Sequence, residues 1–130
     1  MKQKRINRLI LEFAFRPEVA ERIYDICHHY EPDAAQPSKI IDIVMDVYRL
    51  DFDKFKANKS RKHKDYFPRV CLSFFLRKYS KASMHQIARY TGRTHASILN
   101  HFKQIESLQY YPDFLEKFRQ IEKIISKRLA

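Results

Sequence analysis

GRTHASILNHFKQI, residues 92–105, opens on the only glycine of a 130-residue chain and passes at once into polar residues followed by an apolar repeat. Ile98, Phe102 and Ile105 fall on one face of a helix running from about Thr94 to Leu108. Arg93, Ala96, Ser97, Asn100, Lys103 and Gln104 lie broadly opposite. Just upstream, SMHQIARY, residues 83–90, reads as a short helix, with a turn at Thr91 and Gly92. Gly92 can close that helix in the left-handed conformation, which a residue with a Cβ adopts at a cost of about 1 kcal/mol or more. A helix, a short turn with glycine and a second helix with a polar leading end make a helix-turn-helix. Thr94 and His95 stand at the leading end, where such helices touch base edges.

The segments on either side are also helical in period. Upstream, Phe67, Val70, Cys71, Phe74 and Phe75 share a face, with Pro68 tolerable only near the start of its helix. Downstream, Phe114, Phe118, Ile121 and Ile125 mark a last helix. Nearer the N-terminus, EPDAAQPS, residues 31–38, breaks the pattern, and Ser38 is read as N-cap of a helix carrying Ile40, Val44, Val47 and Tyr48. Two short helices are expected before it, on Ile6, Leu9, Ile10 and Phe13 and on Val19, Ile23, Ile26 and Cys27. Alternation with period two never lasts long enough for a strand. The expectation is an all-α bundle, divided into an N-terminal helical extension, residues 1–37, and a domain of residues 38–130.

Charge singles out the middle of this chain. The net charge is +11, from 26 Lys and Arg against 15 Asp and Glu. Residues 51–110 hold thirteen basic and four acidic side chains, and between Lys54 and Ile105 Asp65 is the only acid. So local a surplus costs stability by self-repulsion unless an anion offsets it, which favours a nucleic acid over a solvated face. The start of the chain is basic, but Glu12 and Arg16 interrupt its apolar stretch, so neither a secretory leader nor a membrane span is expected. Cys27 and Cys71 sit in apolar helical patterns without partners at metal-ligand spacing, and are read as reduced and structural.

Composition also excludes chemistry. A phosphate cradle of the P-loop or dinucleotide type needs several glycines in one loop, so no nucleotide cofactor is expected. The six histidines are not paired with carboxylates at spacings suited to acid-base or metal chemistry, so neither enzymatic activity nor a small-molecule substrate is expected. His28 and His29 are read as a surface helix end. His85, near the start of the first motif helix, is expected to be exposed or against phosphate.

From Ser38 to Ser126 the chain resembles the C-terminal, DNA-binding domain of the bacterial replication initiator DnaA, a Trp-repressor-like bundle. GRTHASILNHFKQIESL is similar to the family's Gly-Arg-Asp-His-Thr-Thr-Val-hydrophobe-His signature, with its following Lys-Ile pair and Leu. SMHQIARYTG, PRVCLSFFLRKYSKAS and SRKHKD support it. The resemblance implies that Arg61 enters the minor groove and that Arg69 and Arg77 contact the DNA backbone. It further implies that His95, Ala96 and Ser97 read the major groove, and Arg93 matches too. Thr94 stands where the family has Asp, and Ala96 where it has the first Thr. An acid there accepts from a cytosine amino group, and Thr does so less selectively. The resemblance is to the domain without the initiator's ATPase module, and implies a cytoplasmic, nucleoid-associated regulator of bacterial or phage origin.

The expected partner is therefore double-stranded DNA. Base reading is assigned to Arg61, Arg93, Thr94, His95, Ala96, Ser97 and Asn100. Phosphate contact is assigned to Lys59, Lys62, Arg69, Arg77, Lys78, Lys81, His85 and Lys103. The alternative is a protein-interaction adaptor that docks a partner through residues 1–37 and binds nucleic acid non-specifically. Those residues are close to charge-balanced and lie outside the resemblance, and covering the core is the other role open to them. RNA binding ranks third, because most of the eight Tyr and ten Phe fall on apolar stripes suited to a core.

Overall fold

The computed structural model describes residues 3, 10, 16–19 and 36–128. Six α-helices follow one another from Pro37: α1 Pro37–Tyr48, α2 Phe52–Ala57, α3 His63–Phe75, α4 Met84–Thr91, α5 His95–Leu108 and α6 Pro112–Arg128. Between α3 and α4 the chain continues as a π-helical segment, Leu76–Ser80. The described residues contain no strand, and the fold is all-α.

Helix α2 and the π-helical segment were not expected from the sequence, and two further elements start differently from its reading. Helix α1 begins at Pro37, with Gln36 as an N-cap that offers no side-chain bond. Proline suits the first helical position because its missing N–H would have been an orphan there, so Ser38 lies inside the helix and does not cap it. Helix α3 starts five residues before Pro68, which is buried inside it. The proline forfeits a bond to the carbonyl of Lys64, and since Lys64 is exposed, water can replace it.

The core forms where α1, α3, α5 and α6 meet. Phe74 and Phe75 of α3 lie 5.2 and 4.8 Å, ring centre to ring centre, from Phe118 of α6. Phe67 meets Phe114 edge-on at 5.4 Å. Ile40 and Val44 from α1, Ile98 and Ile105 from α5, and Ile121 and Ile125 from α6 complete it, all with 0% exposure. Rings at such separations favour edge-on and tilted pairs, which add to what their burial contributes. Cys71 is also in this core, 3.5 Å from the Tyr48 hydroxyl, and burial pushes its thiol up to about 12.

Of residues 1–37, Pro17, Glu18 and Val19 are helical, Val19 belongs to the same core, and Arg16 pairs with Glu106 of α5. Ile10, on the first expected helix, is also helical and packs against that core; the rest of the two expected N-terminal helices lies outside the described residues, as do Cys27, His28 and His29. No described helix is long and apolar enough to cross a membrane.

Candidate nucleic-acid interface

Helices α4 and α5 are held at a fixed angle by their shared turn. Ser83 caps α4 reciprocally: its Oγ accepts from the Gln86 N–H at 3.1 Å, and Gln86 Oε1 accepts from the Ser83 N–H at 2.8 Å. Gly92 ends the helix at φ 66°, and its N–H and that of Arg93 both donate to the Ala88 carbonyl. A Cβ on Gly92 would lie 3.3 Å from Lys56 Cε, the movable end of a flexible side chain, so the demand for glycine here is conformational. Thr94 then caps α5, its Oγ1 accepting from the Ser97 N–H at 3.1 Å.

Helix α5 buries Ile98, His101, Phe102, Ile105 and Leu108. His95, Ala96, Leu99, Asn100 and Lys103 are exposed on its other side, and Leu99 keeps 42% exposure. His85, exposed at the start of α4, has its ring 5.0 Å from that of His95, so the leading ends of both motif helices carry an imidazole to one place.

The basic segment between α2 and α3 is a short loop with a defined internal frame. Ser60 N–H donates to Asn58 Oδ1 at 2.8 Å, and Lys62 N–H to Ser60 Oγ at 3.2 Å. Arg69 of α3 donates from Nη1 to the Ser60 carbonyl at 2.7 Å and from Nη2 to the Asn58 carbonyl. Arg93 donates from Nη2 to the same Asn58 carbonyl and, at 3.3 Å, to that of Phe55. Lys59, Arg61 and Lys62 meanwhile remain exposed.

A groove of about 620 Å³ separates this loop from α5. Lys59, Arg61, His63, Tyr66, Arg69 and Arg93 line one flank, and Ser97, Asn100, Gln104 and Ser107 the other, with no carboxylate among the lining residues. Asn100 Nδ2 donates to the Tyr66 hydroxyl at 3.4 Å across it. Burial pushes the Tyr66 phenol up, against the opposing influence of Arg69 and Arg61. At the base lies His101, with Nδ1 2.8 Å from Ser73 Oγ. Burial first, then the positive charge of Arg69 and Arg93, pushes its pKa down to about 4, so the ring is neutral at pH 7. Desolvation also lowers both arginines, without threatening their charge.

The expected contact residues thus divide. Arg61, His95, Ala96, Asn100, Lys59, Lys62, Lys81, His85 and Lys103 are exposed, and Ser97 is partly so. Arg69, expected at phosphate, is 5% exposed with its guanidinium on loop carbonyls, and Arg93, expected at bases, is engaged in the same way. Thr94 spends its oxygen on the helix cap. Arg77 donates to the Ala82 carbonyl at 3.1 Å, and Lys78 lies over the Tyr79 ring. Asn58, Tyr66 and His101 were not anticipated. His101 had a signal, since it lies three residues after Ile98 on the apolar face. Asn58 had a signal for its side chain, which accepts from the N–H two residues on as turn asparagines do, and none for its backbone carbonyl. Among the described residues no group of three or more His, Cys, Asp or Glu could hold a metal ion.

A family model described as the bacterial DnaA protein helix-turn-helix matches residues 37–105. No curated protein and no solved structure matches the chain. The matched stretch runs from the first residue of α1 into the last turn of α5, and so takes in the basic loop, the turn at Gly92 and, except for Ser107, both flanks of the groove.

Proposed function

Because the chain belongs to the bacterial DnaA helix-turn-helix family, and so binds DNA, we propose that it recognises a specific double-stranded site similar to the initiator's own and acts as a regulator at such sites. The observation that carries this reading is the carboxylate-free groove, with an exposed basic loop on one side and the exposed face of α5 on the other. In duplex DNA one phosphodiester strand separates the major groove from the neighbouring minor groove. With α5 in the major groove and Arg61 in the minor groove, that strand lies along the positive groove between them.

His95, Ala96, Ser97 and Asn100 then face base edges. Ala96 can meet only an apolar group such as a thymine methyl, while His95 and Asn100 can form hydrogen bonds. Lys59, Lys62, Lys81, His85 and Lys103 supply phosphate contacts that position the helix without reading sequence. Thr94 accepts from a cytosine amino group less selectively than an Asp would, so the preferred site departs from the initiator's there.

Selection of bound sequences from a random duplex pool tests this. The wild-type chain should enrich one site, and Thr94→Asp with Ala96→Thr should shift that site towards the one bound by the initiator. Enrichment of no sequence would overturn the proposal.

A further inference from the structure

Arg93 follows the turn glycine and directly precedes the cap of α5, yet its guanidinium reaches back to the basic loop. One acceptor, the Asn58 carbonyl, takes hydrogen bonds from Arg93 and from Arg69 of α3, while Arg93 Nη2 also donates to the Phe55 carbonyl and Arg69 Nη1 to that of Ser60. From Asn58 the frame continues through Ser60 to Lys62, by the bonds of 2.8 and 3.2 Å described above. Arg61 lies between two residues of that frame. Its backbone is therefore tied, through four hydrogen-bonded groups, to the start of α5.

We propose that Arg93 and Arg69 form a clasp that sets the distance between the minor-groove arm and the major-groove helix. Arg93 is then a positioning residue that makes no base contact of its own. The proposal rests on the DNA-docking reading above. Inserting one base pair between the two parts of a site moves them about 3.4 Å apart along the axis and turns them by about a tenth of a helical turn. A clasped arm cannot follow that displacement, so the chain discriminates site spacing as well as sequence. A guanidinium suits the task because the two N–H groups of Arg93 Nη2 point in fixed directions, towards the Asn58 and Phe55 carbonyls, whereas an ammonium is a point donor on a flexible stem.

Two measurements on the full chain test the clasp: amide hydrogen exchange of Ser60 and Lys62 without DNA, and affinity for the selected duplex with its two parts at native spacing or one base pair closer or farther. Arg93→Ala should speed exchange at both amides by about tenfold or more, while core amides of α1 and α6 keep their protection. It should also shrink the wild-type penalty for altered spacing severalfold, with Arg93→Lys intermediate. Unchanged exchange together with an equal loss of affinity at every spacing would make Arg93 a phosphate contact and overturn the clasp. A change of preference confined to one base pair would make it a base reader, with the same consequence. Should the wild type prefer no site at all, the docking reading fails, and the exchange measurement still decides whether Arg93 holds the loop.

Discussion

His101 is 4% exposed behind the groove, bonded to Ser73, and its pKa is pushed down to about 4 from the ordinary 6.5. The unfolded chain takes up its proton below pH 6.5, while the folded chain resists until near pH 4. Stability from this residue is therefore complete above pH 6.5 and lost progressively as pH falls to 4, by about 3 kcal/mol in all. Denaturant melts of the wild type and of His101→Gln between pH 7 and 4 check this. The wild type should lose more stability over that interval, and parallel curves would refute it. On the proposed docking, Arg61 and His95 should separate by the grooves assigned to them. Arg61→Ala should weaken all sites and erase preference for A·T pairs in one flank, since a minor-groove arginine senses width and potential. His95→Ala should cost about 1 to 3 kcal/mol on the preferred site and much less on random DNA. Equal losses on both would remove α5 as the reader.

Among the elements, both helices of the motif were legible because local chemistry specifies their ends. The Ser83 capping box, Gly92 and a polar residue before an apolar repeat are signals a chain carries without its tertiary structure. Thr94 illustrates how such signals compete: the position was assigned to base reading, and the structure uses its oxygen to cap α5. Thr94→Ala should accordingly lower stability by about 1 kcal/mol in a thermal melt, with Thr94→Asp close to wild type, because Asp caps as well as Thr. No stability change on Thr94→Ala would contradict that. Helix α2 was not legible. It is six residues long, carries one buried side chain, Phe55, and runs into the basic stretch, so no periodicity can build up over it. The long-range half of the loop's frame was also invisible, since the bonds from Arg69 and Arg93 to the backbone carbonyls of Asn58 and Ser60 leave no trace in residue type at the acceptors. The start of α1 shifted by two residues, from Ser38 as N-cap to Gln36, because Pro37 suits the first helical position and prevailed over Ser38 as a cap.

Across the whole molecule, the surplus of positive charge and the helical packing are separate properties of one sequence. Aromatic stripes build a core that would hold without any ligand, and the charge between Lys54 and Ile105 sits outside it, on the loop, the motif helices and the groove. Family membership fixes DNA binding, and the charge provides affinity for any duplex. On the proposed docking, α5 and Arg61 supply the choice. The most direct test is the ratio of affinities for the selected site and for a random duplex of equal length, measured over a series of salt concentrations. Both affinities should fall with log[salt], by about 0.9 per phosphate neutralised, while the selected site stays at least about a thousandfold tighter. A ratio near one at every salt concentration would contradict sequence-specific recognition.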